Sequence, residues 1–239
     1  MSNAPAITID SVFPWGRSFA EYRRMFALTD DDLNGQILGC ADGPASFNAE
    51  LTRRGGRVVS CDPLYQYSAD NIRARIDSTH DWMVGLARQN YDRFVWNSIK
   101  APEHLGQVRM AAMNDFIADF DDGRGAGRYL PHSLPKLESG LPEFDLAVCS
   151  HFLFLYSQEF SLDFHLNSVR EMCRHAKEVR IFPLLDMQGR VSAHLASLLH
   201  RLAVLNLVAE VVRVEYEFQR GGNQMLRVRP GEIKSGSSG

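Results

Sequence analysis

Gln36-Ile37-Leu38-Gly39-Cys40-Ala41-Asp42-Gly43-Pro44-Ala45-Ser46-Phe47 is the stretch from which the fold is read. Ile37-Leu38 is a short apolar run ending at a glycine turn, the pattern of a buried parallel strand. Gly39 and Gly43 flank the turn, and the small residues Ala45 and Ser46 stand where the chain enters a helix. Phe47, Ala49, Leu51 and Thr52 carry that helix to Gly55-Gly56, a pair suited to a left-handed helix stop. Arg57-Val58-Val59-Ser60-Cys61 reads as a second buried strand, with Asp62 at its carboxyl end. Glycine lets backbone N–H groups approach a ligand, and a helix start offers unpaired donors. A carboxylate about twenty residues after the turn can accept hydrogen bonds from both hydroxyls of a ribose. The unit therefore predicts a nucleoside-containing cofactor lying across the strand tips.

A dinucleotide loop asks for a third glycine to pack the helix onto the sheet, and Ser46 stands there instead. The segment Leu38 to Phe47 resembles the glycine loop of class I S-adenosylmethionine-dependent methyltransferases. Phe144-Asp145-Leu146-Ala147-Val148-Cys149-Ser150-His151 looks like the fourth strand of that family and the loop after it. Ser133-Leu134-Pro135 resembles the element that precedes this strand near the adenine. The likeness spans about residues 35–230. In two places the chain departs from the family: Ile37 stands where an acid is usual, and the middle glycine is Ala41.

The resemblance implies S-adenosylmethionine as cofactor. By position it implies contacts from Gly39, Cys40, Ala41, Asp42, Gly43, Asp62, Pro63, Ser133, Leu134, Ser150 and His151. Arg17, Ser18 and Tyr22 are implied on a helix that closes over the cofactor, although packing explains such residues as well. Asp42 in a glycine turn has a structural alternative, bonding its own backbone.

The chain has 239 residues, enough for one α/β domain with a sizeable core. Its net charge is −3 with no basic run, which gives no reason to expect a nucleic-acid partner. No apolar stretch approaches the roughly 20 residues of a membrane span, and no signal peptide opens the chain, so the cytoplasm is the default expectation. Cys40, Cys61, Cys149 and Cys173 lack CxxC or His-Cys spacing and read as core residues. The histidines at 80, 104, 165, 175, 194 and 200 show no metal spacing, and no metal is expected.

In chain order, residues 1–12 read as a leader and 13–34 as a helical cap, with Ser18 as N-cap of a helix from Phe19 to Leu28 ended by the Asp30–Asp32 run. Residues 63–127 read as a helical insertion divided at Pro102, usable as a lid or a homodimer contact. Arg128–Leu130 is a short third strand. After the fourth strand come a helix over 158–176, a strand over 178–185, a helix over 192–205, and strands over 209–218 and 224–228 joined at Arg220–Asn223. The expectation is a single domain over 1–230 with a flexible tail at 231–239. Its class is α/β, a Rossmann-like three-layer sandwich with a seven-stranded mixed sheet, an antiparallel C-terminal hairpin and an inserted helical segment.

Methyl transfer from a sulfonium needs in-line positioning and exclusion of water more than acid–base help. A hydroxyl or protonated amine acceptor gains from a base, and His151 at the fourth strand tip is the candidate, with loop orientation as its structural alternative. Asp186 at the fifth strand tip either faces the substrate or begins a turn. In the family the chain resembles, an Asn/Asp-Pro-Pro-aromatic signature after the fourth strand goes with methylation of base amines; Ser150-His151-Phe152-Leu153 stands there instead, and the resemblance thus implies a substrate other than nucleic acid. A small-molecule acceptor is favoured, with a protein acceptor left open. Two rivals stand beside this reading: a non-catalytic binding protein of the same fold, and an NAD(P)-dependent oxidoreductase, which the missing third glycine and terminal hairpin oppose.

Overall fold

The computed structural model of the chain describes residues 8–231, so the expectations for 1–7 and for the tail at 232–239 lie outside the described residues. Seven strands form one sheet: β1 (Gln36–Cys40), β2 (Arg57–Cys61), β3 (Tyr129–Leu130), β4 (Phe144–Ser150), β5 (Ala176–Phe182), β6 (Leu207–Arg213) and β7 (Gln224–Pro230). Their order is β3-β2-β1-β4-β5-β7-β6. β1 to β5 pair in parallel, and β7 enters antiparallel between β5 and β6. The strand order reverses direction at β1, so the β1 and β4 tips flank the crevice where ligands bind in open α/β sheets.

The helices are α1 (Phe19–Met25), α2 (Asp30–Asn34), α3 (Phe47–Arg53), α4 (Ala69–Gln89), α5 (Pro102–Gly125), α6 (Leu162–His175) and α7 (Leu195–Val204). Alternate residues of each strand point into two cores, as the two-residue period of a strand requires. Leu38, Cys40, Ala147, Cys149, Val179 and Ile181 pack beneath α6 and α7 with Val169, Met172, Leu198 and Leu202. Ile37, Leu146, Val148 and Phe182 face the opposite layer with Phe19, Tyr22, Phe47 and Leu51 of α1 and α3. The result is a Rossmann-like three-layer sandwich with a seven-stranded mixed sheet. The long helices α4 and α5 lie between β2 and β3 and close a third core around Tyr65, Ile72, Ile76, Phe116 and Phe120.

Several boundaries differ from the sequence reading, each for a local reason. The 19–28 helix ends at Met25, and Ala27 turns the chain at φ +48°. Asp30–Asp32 start a helix instead of ending one, because Thr29 and Asp32 form a reciprocal capping box. The 158–176 helix begins only at Leu162, where Ser161 caps the Phe164 amide. The fifth strand stops at Phe182, before Pro183, which has no donor to continue the ladder. The 192–205 helix is Leu195–Val204, the third strand is Tyr129–Leu130, and β7 runs on to Pro230. The sixth strand is Leu207–Arg213 and not 209–218: beyond Arg213 the chain leaves the sheet to hydrogen-bond other elements, Phe218 O accepting from the Val95 amide at 2.7 Å.

Candidate functional site

The β1–α3 turn is held from several sides. Ala41 sits at φ +56° with its amide donating to Cys61 O at 2.8 Å, which ties the turn to the β2 tip. Gly43, at φ +53°, donates its amide to Asp62 Oδ2 at 2.9 Å, and its carbonyl accepts from the Tyr65 hydroxyl at 2.7 Å. A Cβ at Gly43 would meet only Asp62 Oδ2, at 4.0 Å, so the outer face of the turn is open. Gly39 is required for the opposite reason: a Cβ there would lie 1.7 Å from Asp42 Oδ2. Alanine resists the left-handed region that Ala41 occupies. Ala41→Gly is expected to stabilise the fold by about 0.4–1 kcal/mol net of the freer unfolded chain, measured by urea denaturation.

Asp42 is buried beneath this turn. Its Oδ1 accepts from the Tyr22 hydroxyl at 2.8 Å and its Oδ2 from Ser60 Oγ at 2.7 Å. Burial pushes its carboxyl up to about 6 against those two donors, and nearby Asp62 adds to the rise. Tyr22 is 1% exposed and stacked on Phe47 at 4.6 Å. The expectation of open ligand contacts from these two side chains therefore gives way to a pairing with each other, because each fills the other's polar group. The expected free donors at the start of α3 are also partly taken, since the Ser46 amide donates to Arg17 O at 3.0 Å. Gly16 makes this approach feasible: a Cβ there would lie 2.1 Å from Pro44 O.

Asp62 remains half-buried at the β2 tip. Its Oδ1 accepts from the Leu64 amide at 2.8 Å, capping the turn that begins at Pro63, and each oxygen keeps a further lone pair. Burial raises its carboxyl to about 6, with the Leu64 and Gly43 amides opposing. Arg17 brings a positive charge to the same region. Its Nη1 donates to Trp15 O at 2.7 Å, its Nε is buried with no partner, and no carboxylate pairs with it among the described residues. Burial and then Arg109 lower its guanidinium to about 10.

His151 follows β4 in the left-handed region, φ +52°, with its amide donating to Phe182 O at 2.6 Å. Its ring packs edge-on to Phe182 at 5.5 Å, and its Nδ1 lies 2.9 Å from Ser150 Oγ. Burial, then Arg17 and Arg109, hold the imidazole well below its ordinary range, so it is neutral at physiological pH. Two further histidines anchor the loop it begins: His165 Nε2 lies 2.8 Å from Leu153 O, and His194 Nε2 lies 3.0 Å from Ser157 O and Phe160 O. Tyr156 on that loop is 36% exposed, with its ring 6.1 Å from that of Phe152 and 6.2 Å from that of Phe160.

The structure thus brings Arg17, Gly43, Asp62, Ser150 and His151 to the crevice side of the sheet. Cys40 sits in the α6–α7 core at 1% exposure, so only its backbone reaches the turn. Buried Cys61 and Cys149, its register partners, have thiols pushed up to about 12, which suits inert core residues. Ser133 is exposed and Leu134 is buried in that same core, on the segment after β3, which itself pairs with the β2 tip. Asp186 closes a turn: its Oδ1 accepts from the Gln188 and Arg190 amides, both at 2.9 Å. Among the described residues no cluster of His, Cys, Asp or Glu is arranged to hold a metal, and no helix is long and apolar enough to cross a membrane.

The sequence reading missed a buried ion pair in which Arg109 of α5 forks onto Glu21 of α1, Nη1–Oε2 2.6 Å and Nη2–Oε1 2.8 Å. The Tyr216 hydroxyl donates to the same carboxylate at 2.8 Å. A signal for it existed, because Leu105, Arg109, Ala112, Phe116 and Phe120 share one helical stripe, and an arginine on an apolar stripe needs a partner.

No protein-family model matches this chain. Among solved structures, the chain is similar to the N-methyltransferase NodS from Bradyrhizobium japonicum in complex with S-adenosyl-L-homocysteine, with 13% identity, 89% of this chain and 85% of that chain covered, and a TM-score of 0.45. A TehB-like SAM-dependent methyltransferase from Corynebacterium glutamicum gives 15% identity, 89% and 87% coverage, and a TM-score of 0.45. A much nearer relative in sequence is the uncharacterized protein MJ0045 of Methanocaldococcus jannaschii, 33% identical over 215 residues that span 90% of this chain and 94% of the relative. At that identity and coverage, the chain belongs to the same protein family as MJ0045.

Proposed function

We propose that the protein is an S-adenosylmethionine-dependent methyltransferase acting on a small molecule. The observation that carries this reading is Asp62: a strand-tip carboxylate fixed by the Gly43 and Leu64 amides, with a free lone pair on each oxygen for a ribose diol. Arg17 fits the other end of such a cofactor, since its guanidinium lacks a carboxylate partner and the cofactor's amino-acid portion carries one. The antiparallel β7 between β5 and β6 favours this cofactor over a dinucleotide, whose sheet lacks that hairpin.

When bound, S-adenosylmethionine supplies an electrophilic methyl group on a sulfonium. Asp62 would orient the ribose, the Gly43 turn would let the cofactor approach the backbone, and Arg17 would hold the carboxylate. Neutral His151 would take the proton from an acceptor hydroxyl or ammonium. The acidic net balance of −3 favours a small acceptor over nucleic acid.

Calorimetric titration tests the reading. S-adenosylmethionine and S-adenosylhomocysteine should bind while NAD and NADP do not. Arg17→Met should weaken S-adenosylhomocysteine at least ~10-fold, the scale of a lost charge-assisted hydrogen bond, yet leave adenosine unaffected. Binding of neither sulfur nucleoside would overturn the reading.

A further inference from the structure

The insertion leaves the β2 tip and returns to β3, yet its far end is fastened on the other side of the sheet. Residues 90–96, between α4 and α5, run antiparallel to the segment that joins β6 to β7. The Val95 amide donates to Phe218 O at 2.7 Å and the Arg220 amide to Arg93 O at 2.9 Å, with Phe94 and Gln219 as the bridging pair. The Phe94 and Phe218 rings stack at 4.8 Å. Arg93 Nη2 donates to Met187 O at 2.7 Å, in the turn after β5. In the order of the sheet, β1 and β4 lie between β2 and these anchors, and both anchors follow strand ends on the crevice side. The insertion therefore spans the crevice mouth. Trp15 connects it to the site. Its ring lies 6.0 Å from His80 of α4 and packs in one cluster with Phe94, Trp96 and Phe218, while its carbonyl accepts from Arg17 Nη1 at 2.7 Å.

The two ends of the span are held differently. At the base, Ile72, Ile76, Met113 and Phe116 are fully buried. At the far end none of residues 91–97 is buried, and Tyr91 is 45% exposed. Few buried apolar contacts and exposed backbone hydrogen bonds mark a segment that opens locally, well below the free energy of global unfolding. We propose that residues 90–96 are a strap that gates the crevice, so that ligands enter and leave when the Phe94–Gln219 bridge parts. Closing it over bound ligand shields the site from water, which methyl transfer requires. The identity of that ligand rests on the function proposed above, but the opening is a property of the chain alone.

The test is a staple across the bridge. With the neighbouring amides making the hydrogen bonds, Phe94 and Gln219 form a non-hydrogen-bonded pair. Such a pair sets its Cα atoms about 4.5 Å apart, inside the range of about 4.4–6.8 Å that a disulfide spans. Phe94→Cys combined with Gln219→Cys should close under oxidised glutathione and reopen under dithiothreitol. Stopped-flow mixing with S-adenosylhomocysteine should find association and release both slowed ~10-fold or more in the oxidised form, with Kd little changed. Reduction should restore the rates. A merely structural contact would alter Kd or stability and would not slow both rates in step. Wild-type rates in the oxidised protein overturn the gate. A second arm uses the ligand-free wild type. Its Val95 and Arg220 amides should exchange hydrogen by local opening, faster than the Ile76 amide of α4 and with little dependence on denaturant. Exchange of both only through global unfolding overturns the strap. This arm decides the matter where the double variant does not fold. It also decides it where the wild type binds no sulfur nucleoside, a result that sinks the proposed function and leaves the strap standing or falling by its own exchange.

Discussion

Glu21→Ala should lower the unfolding free energy by about 3–5 kcal/mol. Arg109 has no exposed surface, and among the described residues Glu21 is its only carboxylate partner. Removing the acid strands a buried guanidinium whose Nε already lacks a partner. The same change leaves the Tyr216 hydroxyl and the Ser18 amide without their acceptor. Urea unfolding followed by circular dichroism measures the loss. The double variant Glu21→Leu with Arg109→Met should recover most of it, because replacing a buried ion pair with apolar residues is often neutral or better. If the double variant is as unstable as the single one, the ion pair is not the source of the loss.

The sign of the pH dependence follows from the same pair. Burial works to raise the Glu21 carboxyl, but Arg109 and the Ser18 amide outweigh it and hold it down to about 2. Its folded value lies below its unfolded one, so its contribution is complete above about 4.5 and is lost as pH falls toward 2. Acid unfolding of the wild type should draw on this group, and the double variant should lose that part of the acid limb.

This ion pair also shows where sequence reading stops. The β1–α3–β2 unit was legible because its signals are local: an apolar run, glycines at a turn, a helical stop at Gly55 with φ +85°, and an acid at a strand end. The capping serine at 18 was legible for the same reason, since a cap lies within three residues of its partner. Periodicity says which face of a helix is buried but not against what. Glu21 meets Arg109 across 88 residues and Tyr216 across 195, and no local pattern carries that pairing. Asp42 misled for a related reason. In sequence it stands inside the glycine turn, while in space it folds back over Gly39 toward Tyr22 and Ser60. His151 was legible as a strand-tip residue, but its neutral state comes from burial beside Arg17 and Arg109, which belong to two distant segments.

Asp62→Ala should weaken S-adenosylhomocysteine at least ~100-fold, about 2.7 kcal/mol, if the carboxylate holds both ribose hydroxyls. Two hydrogen bonds to a charged acceptor at about 1.5–3 kcal/mol each supply that loss with margin. The variant also frees the Gly43 amide, loosening the turn from the β2 tip. A pH titration separates the charge from the shape. Burial sets the Asp62 carboxyl near 6, against the Leu64 and Gly43 amides, so the wild type should lose affinity as pH falls through 6. Asp42 titrates in the same range, so Asp62→Asn is the control. That variant should bind weakly at all pH values and lose only the step that belongs to Asp62. The stability sign runs the other way. A carboxyl raised in the folded state contributes stability fully below about 3.8 and loses it as pH rises through about 6. The ligand-free protein therefore carries a destabilising anion at neutral pH, at the place where a ribose would supply the missing donors. Bound ligand should raise the melting temperature more at pH 8 than at pH 5, and equal shifts at both values would exclude Asp62 as the ribose acceptor.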